Sequence, residues 1–423
     1  MNRVEQWLYD LVKANPRLKV RIRNLYQRLF DLVPVQRMAT AYEIETRKGY
    51  FFGFHDKCPW SVDEKRLLAH RVTAPFRMPE AEDELEVGFF SGERYEHYSR
   101  VGSTRAWNWH MGAMLQWVGN SDRMLYNDFD GRRLLARIVE PDGRLAGELP
   151  VPVAVLSADG AKALSYNFPR LQRTPHKYGY ANGTDPDAAR LVPSSHGIHI
   201  VDVNSGTMRL LFSVADIRAI RPEPSMEGAF HYFSHCQFSP SGKRFSFYHR
   251  WTPGKERLWT RMISSNLEGN DLHIFPTSGM VSHYSWRDDQ HVLAYAQVQP
   301  YGDGYYLFED ESGEFHPVGR KTLTSDGHPS FALDHRWFVT DTYPDRYRVR
   351  LLVLYDMEKG KRYDLARIYS PPNYHGDLRC DLHPRWSRGG TKICFDSAHT
   401  GQRSLCTINL EDDLSTAGMP RSL

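Results

Sequence analysis

The chain has 423 residues, with 54 Lys and Arg against 51 Asp and Glu and a formal net charge of +3 when His is neutral. Its 41% hydrophobic and 25% charged residues are typical of a folded globular protein and argue against wholesale disorder. The sequence has no run of about 18 uncharged apolar residues, so we do not expect an integral membrane protein. The near-neutral charge favours no nucleic-acid partner.

Composition also bears on fold class and compartment. Aromatic residues make up 13% of the chain, and 31 Gly and 25 Pro supply frequent turns, a combination that favours an all-β protein of short strands. The five cysteines are odd in number and form no C-x-x-C pair, which fits a reducing compartment. The N-terminus lacks a continuous apolar signal region, and we therefore expect a cytoplasmic protein.

Residues 1–37 form the first predicted unit. Apolar residues recur there with helical spacing, and Pro16 divides the segment into two short helices, the second of which is basic. A basic amphipathic helix can lie on an anionic membrane or on a partner, here through residues 1–34 at the inner face of the membrane. The alternative is a helix packed on the body of the protein with its basic face in water.

A degenerate unit recurs along residues 38–412. It consists of an aromatic or Leu anchor, a polar turn and an alternating β-strand, and its anchors in chain order are Trp60, Trp117, Leu156, Phe238, Trp286, Phe331 and Trp386. Four short strands every 40–55 residues, without intervening helices, are the signature of a β-propeller. We therefore predict an all-β, seven-bladed β-propeller over residues 38–412, or six blades if the Leu156 unit is a false match. Residues 413–423 form a tail.

Alignment of the units on their anchors reveals a ring of histidines. The residue three positions before the anchor is His in the last four units, at His235, His283, His328 and His383. The innermost strand of a blade lines the central channel, so these imidazoles are expected to converge. A divalent metal would relieve their mutual repulsion and desolvation, and neutral imidazole suits Mn, Zn, Ni or Fe. The alternative is a local hydrogen bond that the repeat copies.

A second polar ring follows each anchor by ten or eleven residues. Its members are His70, Asn127, Asn167, His249, Gln297, Asp341 and Asp396. In a propeller this position opens on the same mouth as the start of the innermost strand. A mouth rich in His, Arg, Asp and aromatic groups suits a sugar acid, although any propeller mouth is polar because it is wet.

Four segments carry a family resemblance: NWHMGAMLQWVGNSDRMLYND, HCQFSPSGKR, GHPSFALDHRWFVTDTYPD and LRCDLHPRWSRGGTKICFDS. With them the sequence resembles the oligogalacturonate-lyase-like and ulvan-lyase-like propeller families of polysaccharide lyases. The resemblance implies a metal held by His235, His328 and His383, and the repeat alignment alone adds His283. It also implies a Gln three residues before a ligand His, where this chain has Ser325. The ulvan-type lyases imply His and Tyr as proton-transfer groups.

β-Elimination on a uronic acid needs a base at C5, an acid for the leaving 4-O oxygen and positive charge at the carboxylate. We expect the carboxylate of the uronic acid to bind the His-held metal together with Arg170 or Arg379. We expect His110 or His249 to act as the base and Tyr178 as the acid. The predicted cofactor is a divalent metal, Mn or Zn. The predicted partner is an acidic oligosaccharide or polysaccharide.

Two other functions compete with a lyase. One is a non-catalytic carbohydrate-binding or scaffold propeller in bacterial surface-polysaccharide metabolism. The other is a glycoside hydrolase, which needs two spaced carboxylates that Asp341 and Asp396 could supply. The sequence has no dinucleotide-binding glycine motif, no P-loop and no G-x-S-x-G elbow.

Overall fold

The computed structural model describes residues 30, 33, 36–254, 257–414 and 420–423. The predicted helices of residues 1–37, with their membrane or partner contact, lie almost entirely outside these residues. Among the residues that are described, no helix combines the length and the apolar character needed to cross a bilayer.

Seven antiparallel sheets form a seven-bladed β-propeller, as predicted. Two strands precede the first blade, β1 (Ala39–Thr40) and β2 (Glu45–Lys48). Blades one to three then follow in chain order as β3 (Tyr50–Phe51), β4 (Leu67–Arg71), β5 (Leu85–Ser91), β6 (His97–Thr104), β7 (Gln116–Trp117), β8 (Met124–Phe129), β9 (Leu134–Val139), β10 (Leu145–Leu149), β11 (Val155–Leu156), β12 (Lys162–Ser165), β13 (Gly197–Asp202) and β14 (Met208–Ser213).

Blades four to seven continue the same order. Their strands are β15 (Phe230–Phe238), β16 (Arg244–Thr252), β17 (Trp259–Asn266), β18 (Leu272–Ile274), β19 (Val281–Trp286), β20 (His291–Val298), β21 (Gly302–Glu309), β22 (Phe315–Val318), β23 (Ser330–Phe331), β24 (Trp337–Asp341), β25 (Val349–Asp356), β26 (Lys361–Tyr369), β27 (Arg385–Trp386), β28 (Lys392–Ser397) and β29 (Ser404–Asn409). The first strands of neighbouring blades contact one another, as β15 does with β19 and β23 with β27, so they surround the central axis.

Short helices occupy the connections. They are α1 (Phe168–Gln172), α2 (Val214–Ala219), α3 (Glu411–Leu414) and the 3₁₀ turns Pro224–Met226 and Gly376–Leu378. The anchors Leu156 and Phe238 lie farther apart in the chain than other neighbouring anchors. The 166–196 loop, which contains α1, and α2 after β14 account for the extra length.

Six of the seven anchors end the innermost strand of their blade, whereas Trp60 forms an isolated bridge with Leu67. Leu156 ends β11, which makes its unit a blade and the six-bladed alternative wrong. A serine follows the anchor in four units, and its Oγ accepts a hydrogen bond from the backbone five residues on, as from Lys162 N to Ser157 at 3.0 Å. This hydrogen bond closes the turn. Because it joins residues only five positions apart, the unit can be recognised from the local sequence.

The second polar ring fastens neighbouring blades together. His70 Nε2 accepts from Ala113 N at 3.1 Å, and the Asn127 amide pairs with the backbone of Val153 at 2.7 and 2.9 Å. The carboxylates of Asp341 and Asp396 likewise accept from backbone N–H groups of the following blade. The structure thus gives four of the seven positions a structural role, where the sequence had favoured a role in ligand binding.

The N-terminal strands close the ring. β2 is the outer strand of blade seven, paired with β29, and β1 adds a fifth strand to blade six beside β26. Inside the ring, Asp396 of blade seven accepts from Phe52 N and Gly53 N of blade one at 2.9 Å each. The same carboxylate lies 3.2 Å from Arg385 Nη2, and both side chains are buried.

We expect Asp396→Ala to destabilise the fold by about 3–5 kcal/mol. The substitution leaves Phe52 N and Gly53 N without their acceptor and removes the counter-ion of the buried Arg385 guanidinium. Urea unfolding measures this change. The exposed Glu93→Ala serves as the control and should stay within about 0.5 kcal/mol of wild type. A loss below about 1 kcal/mol for Asp396→Ala would show that other contacts carry the closure.

Candidate functional site

The repeat places histidines where the innermost strands begin. His235 and His283 lie at breaks in the β15–β16 and β19–β20 register, whereas His328 and His383 come two residues before β23 and β27. Irregularities of this kind redirect side chains away from the regular pleat. All four side chains are buried near the axis.

Three of these imidazoles form one cluster. The ring centroids of His283 and His328 lie 3.9 Å apart, and those of His328 and His383 lie 4.3 Å apart. Phe54 stands beside them, 5.0 Å from His383 and, on another side, 5.0 Å from His235. The structure therefore brings His283, His328 and His383 together, while His235 contacts the cluster through Phe54.

His55 joins the cluster although the sequence alignment did not find it. Its ring centroid lies 5.4 Å from His328 and 6.3 Å from His383. The first blade departs from the repeat because β3 ends at Phe51, nine residues before the anchor. Alignment on that anchor selects Lys57, which instead pairs with Asp56 at 2.6 Å.

Hydrogen bonds at Nδ1 orient the clustered rings. His328 Nδ1 lies 2.7 Å from Asp341 Oδ1, His383 Nδ1 lies 2.8 Å from Gly53 O, and His283 Nδ1 lies 3.1 Å from Asp326 Oδ1. A carbonyl or carboxylate acceptor places the proton on Nδ1, which leaves Nε2 with its lone pair. The Nε2 atom of His328 is buried and has no hydrogen-bond partner among the described residues.

Burial favours the neutral form of His55, His283 and His383. Together with the neighbouring imidazoles, it lowers the pKa of His55, His283 and His383 below the usual value. Neutral imidazoles with free lone pairs are what a divalent metal requires of its ligands. The described residues therefore fit a metal ion, and the ligand atoms of His328, His383 and Asp381 all lie within 4.8 Å of one another.

Asp381 brings a carboxylate to the cluster that the histidine register did not reveal. Its Oδ1 accepts from Arg350 Nη1 at 2.7 Å, its Oδ2 accepts from Arg379 Nε at 2.6 Å, and His383 Nε2 lies 4.0 Å away. Although burial opposes ionisation, Arg379 and Arg350 hold the pKa of Asp381 well below its usual range. The carboxylate thus positions two guanidinium groups beside the histidines.

A cavity of about 320 Å³ lies beside the two arginines that Asp381 holds. Its wall includes His176, Tyr343, Arg350, Tyr374 and Arg379. The volume lies in the range of small-molecule sites, and the mixture of aromatic and cationic groups suits an anionic sugar.

Tyr178 connects the cavity wall with two further histidines. Arg379 Nη2 donates to its phenol oxygen at 3.2 Å, and its ring lies 5.3 Å from His110 and 5.4 Å from His176. Burial, with the charges of Arg250 and Arg379, lowers the pKa of His176 to about 3. His110 is buried with an unpartnered Nε2, whereas His176 lines the cavity itself.

Arg250 is a buried cation, and no described residue gives its guanidinium a hydrogen bond or an ion pair. The residue is 5% exposed, and its guanidinium carbon lies 4.8 Å from the ring centroid of Tyr248. Its charge contributes to the lowered pKa of His235 and of His176, which places it beside both. Burying an unpaired charge is costly, so this arrangement favours an anionic ligand.

Two predicted catalytic residues have structural contacts instead. His249 Nδ1 accepts from Arg261 Nε at 3.0 Å, and its Nε2 lies 2.8 Å from His231 Nδ1, so both nitrogens are occupied. Arg170 lies 3.3 Å from Asp185 and donates to four backbone carbonyl groups, three in the 166–196 insertion and one at His231. These contacts leave neither side chain free to act on a sugar.

Comparison with known proteins supports the architecture. No protein-family model matches the sequence, and no curated protein does. An oligogalacturonate lyase in complex with manganese superposes with a TM-score of 0.63 and 15% identity, over 89% of this chain and 95% of that chain. The oligogalacturonate lyase of Vibrio parahaemolyticus gives a TM-score of 0.59 and 12% identity, over 88% and 97%. At such identity the likeness shows the propeller fold, and the resemblance to ulvan lyases stays a prediction.

We expect stability to fall as the pH drops from about 6.5 towards 3. Burial lowers the pKa of His70 to about 3 and that of His231 to about 4, so the unfolded chain binds more protons than the folded one throughout this window. Urea unfolding at several pH values measures the slope. His70→Asn, which keeps an acceptor for Ala113 N, should reduce the slope, and the exposed His97→Asn should not. An unchanged slope in His70→Asn would contradict the assignment.

Proposed function

We propose that this protein is a metal-assisted lyase that cleaves a uronic-acid-containing oligosaccharide by β-elimination. The observation that carries the proposal is the cluster of the buried rings of His283, His328 and His383, together with Arg250, a buried cation to which no described residue gives a hydrogen bond or an ion pair. The names of the two similar structures, both oligogalacturonate lyases, support the reaction class.

His283, His328 and His383 would hold the metal, which we propose to be manganese or zinc. Each oxygen of Asp381 accepts one hydrogen bond from an arginine and keeps a further lone pair, so Asp381 could join His328 and His383 as a ligand. A bound divalent cation neutralises the uronate carboxylate and thereby makes the C5 proton more acidic. His55 and His235 stand at the edge of the cluster, where they keep the ring of Phe54 in place.

Arg250 and Arg379 orient the carboxylates of the sugar. Arg250 gains the counter-ion that it lacks, and Arg379 is already aimed at the cavity by its bond to Asp381. Charge-assisted bonds of this kind are strong in a buried site and fix the orientation of the sugar ring.

His176 and Tyr178 transfer the proton. His176 is neutral and accepts the C5 proton on a ring nitrogen, while the C–H electron pair forms the C4–C5 double bond. The C4–O bond breaks as the Tyr178 phenol gives its proton to the departing oxygen. Solvent returns the proton from His176 to the phenolate, so the net change moves one proton from C5 to the leaving oxygen.

The scaffold and the glycoside hydrolase differ from a lyase in what they would do with an acidic sugar. A scaffold would bind an acidic sugar without turnover. A glycoside hydrolase would need Asp341 and Asp396 as acid and base, but both carboxylates accept backbone hydrogen bonds from the next blade. Those bonds disfavour the hydrolase alternative.

The product of elimination absorbs in the ultraviolet, and we expect absorbance to rise when the metal-loaded protein meets a uronic-acid oligosaccharide. His328→Ala and His383→Ala should lose both bound metal and turnover. Tyr178→Phe should keep the metal and lower the rate by about 10²–10⁴-fold, as removal of a general acid does. The exposed His97→Ala serves as the control.

Three results would each contradict a different part of this proposal. Saccharide binding without new absorbance over a panel of uronates would favour the scaffold. Full metal content in His328→Ala and His383→Ala would remove the proposed ligand set. Full activity in Tyr178→Phe would remove the proposed acid.

Arg250→Met separates stability from binding. Removal of a buried, unpaired charge should leave the ligand-free protein as stable as wild type or more stable by about 1 kcal/mol. The same change should weaken saccharide binding about 10- to 100-fold, the loss expected for a charge-assisted bond. Urea unfolding and titration calorimetry measure the two effects, with the exposed Arg132→Met as the control. Strong destabilisation with unchanged binding would show that Arg250 is structural.

A further inference from the structure

We propose that the mouth contains a second sugar subsite, an aromatic platform provided by the exposed ring of Phe76 beside the buried Tyr374. This inference rests on the proposed function and deepens it, because it makes the substrate an oligosaccharide that extends beyond the residue being cleaved. The platform would hold a neighbouring pyranose ring while Arg250 and Arg379 bind the uronate at the reaction centre.

Phe76 lies on the loop between β4 and β5 and is unusually exposed for its size. Its ring is 40% exposed, and the ring centroid lies 4.6 Å from that of Tyr374. Tyr374 belongs to the wall of the cavity that also includes Arg379. The exposed ring therefore continues the cavity along the surface of the mouth.

The loop that presents Phe76 is held in place on both sides. Trp109 Nε1 donates to Arg77 O at 2.7 Å, and Trp107 Nε1 donates to Asp83 O at 2.9 Å. The side chains of Arg77 and Asp83 pair with each other at 2.5 and 3.1 Å. Both indoles are buried, and Trp109 also contacts the Phe76 ring at 5.8 Å.

This rigidity distinguishes the platform from an incidental exposed side chain. Because Trp107 and Trp109 hold its loop in place, the apolar ring of Phe76 stays exposed to water, which is unfavourable in the ligand-free protein. A ligand that covers the ring removes this unfavourable exposure. Because the ring is already ordered, a ligand loses little conformational entropy when it binds there. The non-polar C–H face of a pyranose matches a flat aromatic surface and needs no charge from the protein.

Titration calorimetry with sodium galacturonate, digalacturonate and trigalacturonate tests the inference. The protein is metal-loaded and carries Tyr178→Phe, so that turnover does not interfere. We expect this protein to bind the trimer more tightly than the monomer, and Phe76→Ala to reduce that preference about five- to tenfold. Phe76→Trp should retain the preference. Tyr301→Ala, which removes an aromatic ring that is 50% exposed and contacts Phe315 of the outer strand, should also retain it.

The outcomes separate this inference from the function on which it rests. If the trimer preference persists unchanged in Phe76→Ala, the subsite is overturned and the lyase proposal survives. If the trimer and the monomer already bind the Phe76-containing protein equally, the subsite is likewise overturned. If none of the three saccharides binds while the metal is present, the proposed function fails and the subsite fails with it.

Discussion

One buried carboxylate fixes the geometry on which the candidate site depends. Asp341 Oδ1 accepts from the backbone of His328 at 2.8 Å and lies 2.7 Å from its ring, while Oδ2 accepts from the backbone of Leu382 and His383 at 3.0 and 3.2 Å. A single side chain at the end of β24 thereby sets the positions of two imidazoles from different blades. The carboxylate that joins blades six and seven is therefore the same one that orients His328.

Several buried polar atoms at the centre of the mouth have no hydrogen-bond partner. Among the described residues these include His328 Nε2, His110 Nε2 and Arg250 Nε, although unpartnered buried atoms such as Tyr98 Oη and Tyr363 Oη also occur elsewhere in the fold. Such exceptions concentrate where a ligand completes the bonding. The left-handed backbone at His235 and His383, by contrast, is shared with Met114 at the equivalent position, so it belongs to the repeat and not to the chemistry.

The site also shows how charge is distributed around neutral histidines. Asp381 is matched by Arg350 and Arg379, and this leaves Arg250 as a positive charge without a counter-ion among the described residues. A metal would add to that positive charge. This unpaired charge supports the proposal that the mouth binds an acidic sugar.

The sequence by itself determined the propeller repeat and the histidine register, and it favoured seven blades over six. Both follow from local physics: an anchor, a serine-closed turn and the two-residue period of a strand are written within a dozen residues of each other. Only the tertiary structure decided which groups meet. In the irregular first blade it is His55, and not Lys57, that lies beside the other histidines. His249 and Arg170 contact structural partners, whereas Arg250 has no described ion pair. These outcomes depend on contacts between blades far apart in the chain, which no local pattern encodes.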